Sequence, residues 1–368
     1  MKVLISGGGT GGHIYPGIAI AKKILEKNPN AKILFVGTQN GLEKKLVPNE
    51  GFDIKFITVE GLNKKISLKT FSAIKKVFKG FFEASKIIEQ FKPDIVIGTG
   101  GYVCGPVVLA ASLKGIPTVI HEQNAIPGLT NKVLSHFVNK VAITFKDSEK
   151  YFPKNKVVLT GNPVRENILN KIGENNKSKW GLDPSKPTIL AVGGSRGATR
   201  LNDFVISLIP KLIEKDIQLI FITGEREYDR VLKTLKQKNI KDYKGIVIVS
   251  YVYNMDDALT SCDLIISRAG ATIISEITSL GIPAILIPSP NVANNHQEYN
   301  ALNLEQNGAA IVIKEAQIND EVFSEQVINL ITNKELLEKM SFNSRKMAMV
   351  DASEKIYEII VNYLKKDD

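Results

Sequence analysis

Cysteine is nearly absent from this chain: Cys104 and Cys262 are the two among 368 residues, and they lie far apart in sequence. A disulfide-stapled extracellular scaffold is therefore excluded, and a reducing cytosol is the expected setting. No run of about 18 apolar residues occurs, so the sequence offers no membrane span. Met1 to Ser6 pass directly into glycines, without the apolar stretch and cleavage site of a secretory leader, and none is expected. Aromatic residues make up 7% and charged residues 23% of the chain, which excludes collagen-like and disordered classes. No Asp-x-Asp-like carboxylate pair and no His/Cys cluster stands at an obvious site, so neither a protein-bound metal nor another cofactor is expected.

The remaining features are those of a large soluble α/β protein. A chain of this length suggests two domains and buries sizeable cores without a staple. Its net charge of +10 is unevenly placed. Residues 1–160 carry 23 Lys against 11 Asp and Glu, a net +12; residues 161–368 carry 25 Lys and Arg against 27 acids, a net −2. Such asymmetry points to an anionic partner for the first half, either nucleic acid or an acidic membrane surface.

Short β-branched runs alternate with helical stretches, the signature of βαβ units and parallel sheets. In the first half they are 2–6, 33–36, 95–97, 118–120 and 140–143. The pattern restarts at 188–192 and continues at 218–222, 245–249, 264–266 and 284–287. Each half opens with strand, glycine loop and helix, the first helix being expected from about Pro16 to Leu25. Gly161-Asn162-Pro163 marks the boundary, and 173–179 reads as a surface loop. A helical end, with Ile356, Ile359, Ile360 and Tyr363 on one face, packs back on one of the halves.

Several loops carry candidate chemistry. Gly7-x-Gly9-x-x-Gly12 satisfies the dinucleotide fingerprint, but the second strand ends Val36-Gly37-Thr38-Gln39-Asn40 with no carboxylate for a ribose. His13 stands where a phosphate-binding loop of the Walker type would need Lys. At the carboxyl end of a strand, an imidazole suits a general base, or equally a helix-capping or phosphate-contacting role. Gly193-Gly194-Ser195-Arg196-Gly197-Ala198 is the stronger phosphate loop, offering backbone N–H groups, a hydroxyl and a helix dipole. Glu276 falls in the first turns of the helix after Ser267-Arg268-Ala269-Gly270, placed to accept from ribose hydroxyls or simply to complement the dipole. Amides cluster at 294–300 around His296 and Gln297, as suits sugar hydroxyls. Lys64, Lys65, Lys69 and Lys75 flank Phe71, Ile74, Phe78 and Phe82 at helical spacing, either a membrane-interface helix or an ordinary helix with its apolar face in the core.

Taken in order, Gly7-Gly8-Gly9-Thr10-Gly11-Gly12-His13, Gly100-Gly101-Tyr102, His121-Glu122-Gln123-Asn124, Gly161-Asn162-Pro163-Val164-Arg165, Gly193-Gly194-Ser195, Ser267-Arg268-Ala269-Gly270 and His296-Gln297 resemble the MurG family. These are the N-acetylglucosaminyltransferases that make lipid II in bacterial cell-wall synthesis. The resemblance runs from residue 3 to about residue 310. It implies the GT-B fold, two Rossmann-like domains with parallel sheets facing a central cleft. The acceptor- and membrane-facing domain would be 1–162, with a helix at about 344–368 packing back, and the donor domain 163–343. It implies inverting transfer from UDP-N-acetylglucosamine to the 4-hydroxyl of the N-acetylmuramoyl group of lipid I. It also implies a cytoplasmic enzyme peripheral on the anionic inner face of the cell membrane, with cell-wall synthesis proteins and no nucleic acid as partners. Thr10, Gly11, Gly12, Asn124, Arg165, Ser195 and Gln297 match the family's substrate-binding positions, and Glu276 its ribose carboxylate. Ala271 and Thr272 fall where backbone meets the donor sugar, Val252 stands where an Ile often meets the uracil, and His13 becomes the candidate base. Two other readings account for less. An NAD(P) oxidoreductase explains only the first loop, and a non-catalytic membrane or nucleic-acid binder explains only the charge. Diacylglycerol glucosyltransferases are the near neighbours within the class.

Overall fold

The structure is a computed structural model and describes residues 1–61, 68–194, 197–240 and 243–364, with backbone alone for 68–74. It divides into two compact units, residues 1–165 with 349–368, and residues 166–348.

In the first unit the strands are β1 (Lys2–Gly7), β2 (Lys32–Gly37), β3 (Asp53–Phe56), β4 (Ile95–Gly100), β5 (Thr118–Glu122), β6 (Lys140–Ile143) and β7 (Val157–Leu159). They form one sheet in the order β3-β2-β1-β4-β5-β6-β7, every pairing parallel. Helices cover both faces of such a sheet, so its central strands are apolar on both sides rather than alternating. Val3, Leu4, Ile5, Ile95, Val96 and Ile97 are accordingly fully buried. The chain reverses its direction of travel across the sheet between β1 and β4, and the β1–β4 register shifts between Ser6 and Gly7.

The second unit repeats the plan with β8 (Thr188–Val192), β9 (Gln218–Ile222), β10 (Ile246–Val249), β11 (Leu264–Ser267), β12 (Ala284–Leu286) and β13 (Ala310–Val312). The order is β10-β9-β8-β11-β12-β13, again parallel throughout, with the reversal between β8 and β11. Its core packs Phe204 and Leu208 of the helix Thr199–Glu214 against Phe323 and Val327 of the helix Asp320–Thr332.

Three details differ from the sequence-based expectation. The first helix runs Gly11–Lys27, starting in the glycines themselves, with Pro16 inside it. Pro16 has no N–H, so the i→i−4 bond to the Gly12 carbonyl is missing in the second turn. Residues 173–179 are not simply a surface loop. Asn176 and Lys177 are buried, and the Lys177 ammonium donates to the Lys186 carbonyl and to Asp263, each at 2.8 Å. The apolar alternation of 68–91 does form a helix, Leu68–Phe91, but its core face is Val77, Phe81, Ala84 and Ile88, which leaves Phe78 and Phe82 outward.

The closing helix, Ala352–Leu364, returns to the first unit and lies beside the helix Gly11–Lys27. Ile356 and Ile360, one turn apart, are fully buried among Val3, Ile5, Ile18 and Ile24, and Ile359 packs partly against them. Lys27 pairs with Glu354 at 3.0 Å on the exposed rim. Ile356→Ala is expected to lower unfolding stability by about 2–5 kcal/mol, read as a reduced urea midpoint; a midpoint unchanged from wild type would contradict this docking.

Candidate functional site

In a parallel sheet every strand ends at the same edge, and ligands of open α/β folds bind there, at the point where the strand order reverses. In the first unit that edge carries the glycine loop after β1, the Gly100–Gly101 turn after β4, and His121 to Gly128 at the end of β5 and beyond it. Thr10 is the N-cap of the helix Gly11–Lys27 and is exposed. Gly11, Gly12 and His13 form its first turn, so Thr10 to His13 ring the positive end of the helix dipole.

His13 is held from several sides. The Thr99 hydroxyl donates to its backbone carbonyl at 2.8 Å. Its Nδ1 lies 3.2 Å from Oε1 of Gln123. Nε2 of Gln123 donates to the Thr99 carbonyl at 2.7 Å and lies 3.0 Å from Nδ1 of His121, whose Nε2 is 3.0 Å from the Gly161 carbonyl. Gly100 makes room for this ring: it adopts φ +102°, and a Cβ there would stand 2.6 Å from His13 Nδ1. His121 is fully buried, and burial depresses its pKa to about 4.

Two buried carboxylates shape the loops. Glu43, fully buried, accepts from the backbone N–H of Gly9 and of Thr38, each at 2.9 Å, and from the Thr38 hydroxyl at 2.7 Å. A Cβ at Gly8 would come within 2.5 Å of its carboxylate, so the bare glycine backbone is the shape that fits around it. Glu43 is therefore a structural clasp on the glycine loop; it lies six residues past Gly37, where the end of β2 offers no acid. Glu122 accepts from the backbone N–H groups of Asn124 and Gly128 and from the side-chain amides of Asn124 and Asn131, at 2.8–3.2 Å. Burial nevertheless raises its pKa. These bonds present Asn124 at the strand edge. Arg165 lies over the Tyr15 ring, 5.0 Å from its centroid, beside the same helix start.

In the second unit β8 and β11 are neighbours, with Val192 opposite Ser267, so the loops that follow them start side by side. Each leads into a helix, Thr199–Glu214 and Ala271–Leu280. Gly194 adopts φ +91°, and its carbonyl accepts from Gly197 N at 2.9 Å; Ser195 and Arg196 between them lie outside the described residues. Ala271 and Thr272 open the second helix, and Gly270 before them has open space where a Cβ would stand. Among the described residues the buried Thr272 hydroxyl oxygen has no hydrogen-bond partner, and Glu276 is buried one turn further on. Gln297 accepts from Ser289 N at 2.8 Å, fixing the loop after β12. Arg268 donates to the Ile287 carbonyl at 3.0 Å and pairs with Glu315 at 2.5 Å, tying the ends of β11 and β12 together. Val252 follows β10, and the rings of its sequence neighbours Tyr251 and Tyr253 pack edge to face, 5.0 Å between centroids.

The structure thus gathers Thr10, Gly11, Gly12, His13, Asn124 and Arg165 in the first unit. In the second, Val252, Ala271 and Thr272 closely follow carboxyl strand ends, Glu276 lies one turn inside the helix after β11, and Gln297 lies on the helix His296–Gln306 after β12. Gln123, Glu43, Thr99 and Arg268 were not singled out from sequence as site residues. Gln123 and Arg268 stood inside the quoted motifs, whereas nothing local marks Glu43 or Thr99. Among the described residues, no three His, Cys, Asp or Glu side chains gather as a metal-holding group, and no helix is long and apolar enough to cross a membrane. Lys64 and Lys65 lie outside the described residues, and the side chains of Lys69, Phe71 and Ile74 are likewise not described.

Comparison with known proteins places this geometry. The model of the glycosyltransferase family 28 N-terminal domain matches residues 3–143, and that of the family 28 C-terminal domain matches residues 188–356. The chain is 52% identical over 362 residues to the UDP-N-acetylglucosamine–N-acetylmuramyl-(pentapeptide) pyrophosphoryl-undecaprenol N-acetylglucosamine transferase of Ruminiclostridium cellulolyticum, covering 98% of this chain and 99% of the relative. It is 42% identical over 366 residues to the enzyme of the same name from Bacillus cytotoxicus, covering 100% of both. The solved structure of Acinetobacter baumannii MurG superposes with a TM-score of 0.77 at 29% identity, covering 98% of this chain and 99% of that one.

His121 has a measurable signature. Its folded pKa of about 4 lies below the ordinary histidine value of 6.5, so the native state takes up fewer protons than the unfolded chain between those values. Its contribution is complete above pH 6.5 and fades as pH falls toward 4. Wild type is expected to lose about 2 kcal/mol more unfolding free energy between pH 7 and pH 5 than His121→Gln. Equal losses in urea titrations at the two pH values would show that His121 is not buried neutral.

Proposed function

The chain belongs to glycosyltransferase family 28, and from that membership and the site geometry we infer that it transfers N-acetylglucosamine from UDP-N-acetylglucosamine to undecaprenyl-pyrophosphoryl-N-acetylmuramoyl-pentapeptide, the reaction that forms lipid II. It has the GT-B fold, two Rossmann-like units each built on a parallel sheet. The observation that carries the reading is the pairing in the second unit of two glycine-opened helix starts on adjacent strands, with a buried carboxylate, Glu276, one turn inside the second. That is a cradle for a nucleoside diphosphate: helix N-termini for the phosphates, a carboxylate for the ribose.

The proposed chemistry is a single in-line displacement with inversion. The acceptor 4-hydroxyl attacks the anomeric carbon; its O–C1 bond forms as the C1–O bond to UDP breaks. The hydroxyl proton passes to His13 as general base, and UDP leaves with the bonding pair. Backbone N–H groups of the Gly193–Ala198 loop and of the helix starting at Ala271 stabilise the charge that develops on the diphosphate, a preorganised electrostatic role. Ser195 adds its hydroxyl to that loop. Glu276 holds the ribose, Gln297 and the backbone at Ala271 and Thr272 meet the sugar, and Val252 meets the uracil. The orphaned Thr272 hydroxyl supports a polar ligand there, because a buried hydroxyl without a partner is costly. Thr10, Gly11, Gly12, Asn124 and Arg165 are the proposed substrate contacts of the first unit. Charge stabilisation by backbone donors leaves no step that calls for a resident metal.

We further propose that the first unit meets the anionic inner leaflet of the cell membrane. Phe78 and Phe82, one turn apart, are 63% and 69% exposed while the neighbouring face of their helix packs on the core. Exposed Lys75 and Lys79 sit on the same helix. The next two helices, Cys104–Leu113 and Leu129–Leu134, pack alongside in turn and expose Leu113, Leu129 and Val133. Apolar side chains flanked by lysines suit an interface where each cation contributes about 1 kcal/mol.

UDP release from UDP-N-acetylglucosamine is expected to depend on a lipid I analogue and to exceed release from UDP-glucose or UDP-N-acetylgalactosamine. Release instead from UDP-glucose with a diacylglycerol would reassign the enzyme to the neighbouring lipid glycosyltransferases. His13→Ala is expected to lower kcat by about 10²–10⁴, and near-full turnover would remove it as base. Replacing Phe78 and Phe82 by Ser is expected to abolish salt-sensitive sedimentation with phosphatidylglycerol vesicles while turnover of a water-soluble acceptor persists; undiminished sedimentation would count against this face.

A further inference from the structure

The bonds around Gln123 fix more than its own position. Its Nε2 stands within reach of three acceptors, the Thr99 carbonyl at 2.7 Å, Nδ1 of His121 at 3.0 Å and the His121 carbonyl at 3.3 Å. A flipped amide would put Oε1 against those carbonyls, oxygen facing oxygen, so Nε2 is the end that belongs there. His121 agrees with this orientation. Its Nε2 faces the Gly161 carbonyl, which can only accept, so Nε2 carries the proton and Nδ1 the lone pair that Gln123 donates to. The depressed pKa of the buried ring keeps it neutral and so preserves that lone pair. With Nε2 of Gln123 thus committed, Oε1 is the end that meets His13, and it is an acceptor. Nδ1 of His13 must then be the donor.

We propose that Gln123, itself oriented by the buried His121, is a positioning residue that holds neutral His13 in its Nδ1–H tautomer and so makes Nε2 the basic nitrogen. This rests on the reading of His13 as the base. A chain of directed bonds, Gly161 carbonyl to His121 to Gln123 to His13, fixes which nitrogen takes the acceptor's proton. The neutral amide takes the orienting place that a carboxylate holds in a Ser-His-Asp triad, selecting the tautomer without adding a charge. The backbone holds the same ring from the other side: the Thr99 hydroxyl grips the His13 carbonyl, and the Thr99 carbonyl accepts from Gln123. One residue of β4 therefore ties both partners.

The test is the ring tautomer itself. The full-length protein has four histidines, so ¹⁵N-histidine labelling with long-range proton–nitrogen correlation resolves them, His13 being assigned by the loss of its signals in His13→Gln. Neutral His13 is expected to show a protonated Nδ1 and an unprotonated Nε2. In Gln123→Met, which keeps the length of the side chain and removes the acceptor, the ring is expected to revert to the Nε2–H form that free imidazole side chains prefer. kcat is then expected to fall about tenfold or more, with KM for UDP-N-acetylglucosamine within about twofold of wild type. A wild-type His13 in the Nε2–H form overturns the proposal, as does a Gln123→Met protein with unchanged tautomer and kcat. The wild-type spectrum decides the matter even if the variant does not fold. Failure of the base reading looks different: His13→Gln retains turnover, whatever tautomer the spectrum shows.

Discussion

Parallel pairing is the constraint from which the rest of this molecule follows. Two parallel strands cannot be joined by a tight turn, so each is followed by a crossover over one face, usually helical. Every strand then ends at the same edge, and every following helix presents its unpaired N–H groups there. That edge needs backbone that can turn sharply and lie open to a ligand, which is why glycine concentrates at 7–12, 100–101, 193–197 and 270. The sites of both units are a direct consequence of strand direction.

The same edge carries a cost that the side chains resolve. Polar groups at the ends of fully buried strands are cut off from water, and each must find a partner. Glu43 answers for Gly9 and Thr38, Glu122 for Asn124 and Gly128, and Gln123 for Thr99 and His121. Satisfying these groups fixes loop shape, so the polar network under the site and the geometry of the site are one structure. It also explains why a buried histidine is tolerated at the end of β5: kept neutral, His121 donates to one carbonyl and accepts from one amide, with no charge to solvate.

Much of this was legible in the sequence, and what was not has a common cause. The strands buried on both sides, β1, β4, β5, β8, β9 and β11, read as unbroken apolar runs. The strands that went unread, β3, β7 and β13, are edge strands of three or four residues. They pair on one side only, and a segment such as Asp53-Ile54-Lys55-Phe56 needs no continuous apolar run. At the strand edges, the candidate residues were legible because they stand in local motifs. Glu43 and Thr99 were not, because they hold groups far away in sequence: a carboxylate 34 residues beyond Gly9 and a threonine 86 residues beyond His13 have no sequence pattern linking them. His13 was legible as a titratable group at a strand end, but its tautomer belongs to Gln123, 110 residues away.

The helix Leu68–Phe91 shows how a structure separates two readings that a periodicity leaves equal. A basic amphipathic pattern fits both a membrane surface and a plain core-facing helix, because either needs apolar residues at helical spacing. Here the helix carries two apolar faces. Val77, Phe81, Ala84 and Ile88 recur at intervals of four, three and four; Ala84 and Ile88 are buried in the core and Val77 and Phe81 pack partly against it, so core packing accounts for this face. Phe78 and Phe82 recur at an interval of four but are displaced by one residue, which rotates them about 100° away from that stripe. The fold's own packing cannot explain two exposed phenylalanines beside exposed lysines. An acceptor carried on an undecaprenyl chain requires its enzyme to work at a lipid surface, and the charge excess of the first 160 residues is confined to the unit that displays them. The second half is nearly neutral, at a net −2, so the excess of positive charge lies with the unit for which the lipid surface is proposed.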